Sequence, residues 1–68
     1  MTTMTFEVGY ESDGFCSINL IESADKETAE RYAKAHANRF GYNLLYCHSV
    51  AEWYKHECLA KGMPIIKL

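Results

Sequence analysis

Two segments of alternating side chains, joined by Asp13-Gly14, constrain the fold of this chain more than any other feature. In residues 5–10 and 15–21 every second side chain is apolar, which is the period of a β-strand with one buried face. Asp-Gly supplies the positive φ angles that a two-residue hairpin turn requires. The sequence therefore predicts two antiparallel strands joined by a tight turn.

A helix is predicted over residues 26–40, with signals at both ends. Asp25 or Ser23 can accept a hydrogen bond at its start, and Gly41 can take the left-handed conformation that ends a helix. Apolar residues recur between them at spacings of three and four, which predicts a helix packed on a sheet. These residues are Ala29, Tyr32, Ala33, Ala37 and Phe40.

The remaining residues predict a strand, a helix and a short strand. Residues 43–48 form the third strand, expected to run parallel to the second because a helix connects them. Ser49 and Glu52 have the spacing of a capping box, which predicts a second helix beginning at Val50. The helix should end before Gly62, and Pro64 precedes a strand over residues 65–68.

This order of elements predicts one small α+β domain spanning residues 1–68. The expected architecture is a two-layer ββαβαβ domain, in which a mixed sheet of three or four strands carries its helices on one face. A chain of 68 residues has room for one core and no second domain.

The face of the sheet without helices is a candidate binding surface. If Cys16, Ile18 and Leu20 point towards the helices, residues 15, 17, 19 and 21 point away, joined by one alternating set from residues 42, 44 and 46. A half-apolar face of this kind is typical of a partner or homodimer surface. The alternative is that the N-terminal residues cover it, or that the tyrosines only border the core.

No residue pattern indicates catalysis, a metal or a cofactor. Two cysteines and two histidines could ligate zinc, but neighbours on a strand point to opposite faces and the helical pair lies on different sides of the helix. No local sequence signature of a nucleophilic cysteine is present. The glycines are isolated, so they form no phosphate-binding loop. A pair of carboxylates could act as general acid and base only in a cleft, which a domain of this size rarely encloses. We therefore predict a protein that is not an enzyme. The four possible ligands are Cys47, His48, His56 and Cys58.

The charges are unevenly divided along the chain. Residues 1–30 carry seven carboxylates and one lysine, whereas residues 31–68 carry six bases and two carboxylates. Opposite fields on different parts of a surface select partners and speed their arrival. The odd number of cysteines, three, and the absence of a signal-peptide pattern predict a reducing, cytoplasmic location.

The acidic half suggests a docking surface for a protein with a basic patch. Carboxylates at the hairpin tip and around the first helix's start could share one edge, with a tyrosine as buried anchor. The alternative is that they only stabilise the helix start and solvate the surface. The candidate partner-binding residues are Asp13, Glu22, Asp25, Glu27, Glu30, Tyr10 and Tyr32.

A nucleic-acid-binding domain is the second hypothesis. Tyr42 and Tyr46 would stack on bases while nearby basic side chains hold phosphates. It is disfavoured because Arg31 and Lys34 each have a glutamate four residues earlier, Glu27 and Glu30, and pairing along the helix explains these two bases. The bases concerned are Arg31, Lys34, Arg39, Lys55 and Lys61.

In architecture and charge, the Asp13-Gly14 hairpin, the acidic helix start at residues 25–30 and the short chain resemble small phage or mobile-element accessory proteins, including some anti-CRISPR inhibitors. The resemblance implies a protein that acts by occluding a larger complex, sometimes by imitating the charge of nucleic acid. It carries no individual functional residue over to this chain. Combined with the charge pattern, it favours a small protein-binding module or inhibitor.

Overall fold

The computed structural model describes residues 2–68 and contains the six predicted elements in the predicted order. They form one four-stranded mixed sheet with the strand order β3-β1-β2-β4. The small α+β, two-layer architecture expected from the sequence is confirmed. The elements are β1 (Met4–Ser12), β2 (Phe15–Ser23), α1 (Lys26–Phe40), β3 (Asn43–Ser49), α2 (Glu52–Ala60) and β4 (Ile65–Lys67).

The first two strands form the predicted antiparallel hairpin. Asp13 and Gly14 have φ angles of 49° and 82°, so both central residues of the turn are left-handed. Ser12 faces Phe15 across the turn, and counting back from this pair places Phe6 opposite Ile21. The turn thus sets which side chains of the two strands share a face.

Helix α1 has the predicted bounds and both predicted caps. The Oδ1 atom of Asp25 accepts a hydrogen bond from the Thr28 amide at 2.7 Å, and Gly41 ends the helix with a φ of 72°. Ala29, Ala33 and Ala37 are buried against the sheet. Because alanine side chains are short, α1 lies close to the strands beneath it.

The main core lies between α1 and one face of the sheet. Phe6, Val8, Tyr10 and Ile21 are fully buried there, and Ile66 of β4 packs against them. Strand β4 pairs with β2 in parallel, and Ile66 faces Ile21. This face of the sheet is called the helix face below.

Strand β3 pairs with β1 and not with β2. Both β2 and β3 are antiparallel to β1, so β3 runs parallel to β2 as predicted, but β1 lies between them. The register of β3 shifts by one residue where Gly9 faces Tyr46 and Tyr10 faces Leu44. This bulge at Leu45 puts Leu44 and Tyr46 on opposite faces of the sheet.

The predicted capping box at the start of α2 is wrong. Ser49 belongs to β3 and faces Phe6, and the Val50 amide donates to the Thr5 carbonyl at 2.9 Å. Because the strand ladder holds these residues, α2 begins at Glu52, and its N-cap residue makes no side-chain hydrogen bond. Backbone pairing with β1 has replaced the predicted cap.

The expected assignment of faces on β2 is reversed. Pairing places residues 17, 19 and 21 on the helix face with residues 10, 8 and 6, whereas residues 16, 18 and 20 lie on the other face with residues 11, 9 and 7. We call this other face the second face. The reason is the hairpin register, which assigns Ile21 to the side already occupied by Phe6 and Val8.

Helix α2 refines the expectation that both helices share one face. Its Tyr54 and Lys55 side chains bond to Glu7 and Glu22, which alternate along their strands with residues of the helix face. The layer of helix over the main core is therefore α1 alone. Helix α2 lies at one end of the second face and leaves the rest of it uncovered.

Candidate functional site

A buried carboxylate, Glu7, lies at the centre of a polar network on the second face. Glu7 is only 8% exposed, yet it sits between Phe6 and Val8 on the central strand β1. The hydroxyl of Tyr46 donates to its Oε2 atom at 2.8 Å, and the hydroxyl of Tyr54 donates to Oε1. One tyrosine comes from β3 and the other from α2, so three elements meet at this carboxylate.

Gly9 provides the space that this network needs. A Cβ atom at position 9 would stand 2.6 Å from Cζ and 2.8 Å from Cδ2 of Tyr46. The Tyr46 ring therefore lies directly over the Gly9 backbone, which directs its hydroxyl towards Glu7. On its strand, the same ring stacks on His48 with a centroid separation of 4.8 Å.

The network opens into a depression of about 370 Å³ between β3 and α2. Glu7 is the one buried residue among those that line it, and it therefore forms the inner end. Trp53 stands at the rim and is 66% exposed. We call this depression the Glu7 pocket; its lining residues are Glu7, His48, Ser49, Val50, Ala51, Trp53 and Tyr54.

The electrostatics keep both tyrosines protonated. Burial, together with the hydrogen bond to Glu7, raises the pKa of Tyr46 above the ordinary value of 10.0. The hydrogen bond to Glu7 is the main cause that raises the pKa of Tyr54. Nε2 of His48 lies 3.7 Å from Oε2 of Glu7, an ion pair only when the imidazole is protonated. The two tyrosine hydroxyls are therefore the neutral donors to this carboxylate.

A second carboxylate, Glu22 of β2, binds α2 through Lys55. The ammonium of Lys55 lies 3.3 Å from Oε2 of Glu22, and both side chains are about one-fifth exposed. Hydrogen bonds from Thr3 and Lys55 hold the pKa of Glu22 below its usual value. The charge of Glu22 is therefore balanced by the ammonium of Lys55. Glu7, in contrast, has no cationic partner within residues 2–68 unless His48 gains a proton.

The predicted partner-binding residues do not form one edge. Asp13 is at the hairpin tip, and Asp25 lies beyond the far end of β2, about 30 Å away along nine extended residues. Tyr10 is 1% exposed, so it cannot anchor a partner. Tyr32 is half-buried on α1 beside His36. The residues that do share one end of the molecule are Glu22, Asp25, Glu27 and Glu30.

The aromatic surface of the nucleic-acid hypothesis is also absent. Tyr42 packs on Tyr10 at the helix face, whereas Tyr46 lies on the second face because of the bulge at Leu45. Two of the five bases are paired with carboxylates, Arg31 with Glu27 at 3.1 Å and Lys55 with Glu22. The two tyrosines therefore cannot stack on one strand of bases.

The cysteines and histidines are dispersed. Cys16 is exposed, Cys47 is half-buried and Cys58 is buried, and all three are free thiols. Burial raises the pKa of Cys47 above its usual value, which makes its thiolate scarcer. Within residues 2–68, no group of three or more histidine, cysteine, aspartate or glutamate side chains is arranged to hold a metal ion.

A second depression of about 370 Å³ lies on the flank of α1. Tyr32, His36 and Phe40 follow one another at helical spacing, and the Arg39 guanidinium lies 5.6 Å from the centre of the Phe40 ring. The lining of this depression contains aromatic rings and one cation, Arg39, but no carboxylate. In contrast to the Glu7 pocket, it contains no buried charge that a ligand could complete.

Sequence reasoning missed most of the Glu7 pocket. One signal was present, because Glu7 is the sole charged residue within the alternating segment 5–10 and lies between two apolar residues. A carboxylate in a central strand must find hydrogen-bond donors. The donors themselves come from residues 39 and 47 positions further along the chain, and nothing in the local pattern connects them.

No family model, curated protein or solved structure matches this chain. Neither helix in the described part of the chain is both long enough and apolar enough to cross a membrane.

Proposed function

We propose that this protein is a non-catalytic protein-binding module that captures a lysine or arginine side chain of a larger partner in the Glu7 pocket. The observation that carries the proposal is a buried carboxylate at the inner end of a depression whose rim is an exposed tryptophan. Within residues 2–68 this carboxylate has no permanent cationic partner. A carboxylate and an aromatic ring together provide charge pairing and a cation–π contact.

The hydrogen-bonding capacity of Glu7 supports this use. Each carboxylate oxygen accepts one tyrosine hydroxyl, and an ionised carboxylate offers about four acceptor positions. Lone pairs therefore remain for the N–H groups of a guanidinium or ammonium. Because both present donors are neutral, they orient the carboxylate without cancelling its charge.

The acidic end of the molecule supports approach of a basic partner. The start of α1, the end of β2 and the end of β3 that borders the pocket all lie at the same end of the sheet. Asp25 and Glu30 therefore contribute a negative field at this end of the sheet, which speeds association with a basic surface. In this proposal these carboxylates steer the partner towards the pocket, and Trp53 and Glu7 anchor it there.

The three free cysteines fit a reducing compartment such as the cytoplasm. Occlusion of a larger complex, as an accessory protein or inhibitor, is the biological role that a module of this size could perform. The basic side chain that anchors the partner is the property that can be tested first.

The test is a selection from a random peptide library on the immobilised protein, followed by affinity measurement of the best binders. Enriched peptides should contain lysine or arginine, and Glu7→Gln or Trp53→Ala should weaken their binding at least tenfold. Glu57→Gln is the matched control, because it removes the same charge from an exposed position on α2. Circular dichroism confirms that each variant is folded.

The proposal is overturned if the enriched peptides lack basic residues, if no peptide is enriched, or if Glu7→Gln and Trp53→Ala bind as the wild type does. A loss that is equal for Glu57→Gln and Glu7→Gln would also contradict it, because general charge and not the pocket would then govern binding.

A further inference from the structure

The two edge strands of this sheet, β3 and β4, differ in how readily they could pair with another strand. Strand β4, the opposite edge, has three residues, includes Lys67 and follows Pro64, which are features that block pairing with another strand. Strand β3 has seven residues, without a formal charge or a proline. No strand within residues 2–68 pairs with its outer side.

The backbone groups available at this edge can be assigned from the ladder with β1. The Val50 amide donates to the Thr5 carbonyl, and residue pairs that exchange hydrogen bonds alternate with pairs that do not. His48 with Glu7 is therefore a hydrogen-bonded pair, whereas Cys47 and Ser49 turn their N–H and C=O groups outward. These outward groups lie beyond the bulge at Leu45, in the regular part of the strand.

The free edge runs beside the Glu7 pocket. Ser49 contributes both to the outer edge and to the pocket lining. A strand added there would stand two strand spacings from β1, about 10 Å. One long basic side chain on the added strand can close this gap together with the side chain of Glu7. Strand addition with a specificity pocket at an alternate residue is an established way to recognise extended peptides.

We infer that the partner of the Glu7 pocket is an extended segment that pairs with the outer edge of β3 at Cys47 and Ser49 and inserts a lysine or arginine side chain beside Glu7. This inference rests on the proposed function. It adds the conformation of the bound segment: main-chain hydrogen bonds to β3 supply affinity, and the carboxylate selects the basic residue.

Hydrogen exchange measured by NMR tests the inference, with the best basic peptide from the selection as probe. In the free protein, the Cys47 and Ser49 amides should exchange faster than the Tyr46 and His48 amides, which are bonded to β1. Saturation with the peptide should slow exchange of the two outward amides at least tenfold. Binding without such protection would overturn strand pairing.

Ser49→Pro provides a second test, because proline removes an outward amide without removing a bond to β1. It should weaken the peptide at least tenfold, whereas the matched control Ser49→Ala, which keeps the amide, should not. If Ser49→Pro binds normally, the strand inference fails and the pocket proposal stands. If no peptide binds the wild type, the proposed function itself fails.

A second copy of this chain is the competing occupant of the edge. Protection of Cys47 and Ser49 that appears with rising protein concentration and without peptide, together with a dimer mass in sedimentation equilibrium, would overturn the inference in favour of self-association.

Discussion

Replacing Gly9 by alanine tests whether Tyr46 is held over the backbone of β1 as the structure shows. The new methyl group would stand 2.6 Å from Cζ of Tyr46, well inside van der Waals contact, so the ring must move or the strands must separate. Overpacking costs about 1–3 kcal/mol. If the ring swings away, loss of its hydrogen bond to a charged group costs about 1.5–3 kcal/mol.

A partial gain offsets this cost. Glycine within a strand is less favourable than alanine by about 0.5–1 kcal/mol. The φ of Gly9 is not left-handed, so alanine itself meets no backbone strain. We therefore expect Gly9→Ala to lower the free energy of unfolding by about 1–2 kcal/mol relative to the wild type.

The control is the same substitution in a Tyr46→Ala background. Removal of the ring leaves the new methyl group unopposed, so Gly9→Ala should then raise stability by about 0.5 kcal/mol. Urea denaturation of the four proteins gives the coupling between the two positions, expected at about 2 kcal/mol. The reasoning is refuted if Gly9→Ala has the same effect in both backgrounds.

Three further predictions concern the pH response, the start of α2 and the thiols. Because the pKa of Tyr54 is raised, its contribution to stability is present below pH 10 and is lost as the pH rises further; Tyr54→Phe should therefore reduce the alkaline loss of unfolding free energy, and an unchanged slope would contradict this. Ser49→Ala should change stability by less than about 0.5 kcal/mol, since the hydroxyl caps no helix; a larger loss in urea denaturation would indicate a cap. Cys16 should react with a thiol reagent in the native state while Cys58 reacts only on unfolding, as mass spectrometry of the labelled protein can show; rapid labelling of Cys58 would refute its burial.

Local signals predicted the elements of the fold well. The hairpin turn, both caps of α1 and the order of all six elements follow from residues that are close together in the sequence. The faces of β2 could also have been derived, because a two-residue turn makes Ser12 face Phe15 and hence Phe6 face Ile21. The prediction failed there because it treated the alternation of each strand separately.

The non-local features could not be read in the same way. The bulge at Leu45 has no glycine or other local marker, and it alone separates Tyr46 from Leu44 and Tyr42. The apparent capping box at Ser49 lost to the strand ladder, in which the Val50 amide donates to the carbonyl of Thr5, a residue more than forty positions earlier. In both cases the strand ladder with β1 decided the structure, and that pairing is determined by the whole sheet.

The Glu7 network is difficult to explain by stability alone. Burying a carboxylate is costly, and an apolar residue opposite Leu20 would join α2 to the sheet without that cost. The two tyrosines satisfy the carboxylate with neutral hydrogen bonds, which hold Glu7 in place and bring no cation to it. The pocket opens from this carboxylate to the exposed ring of Trp53 and to the outer edge of β3, with which no strand of residues 2–68 pairs. In the proposed function, a cation carried by an extended chain would complete all three features.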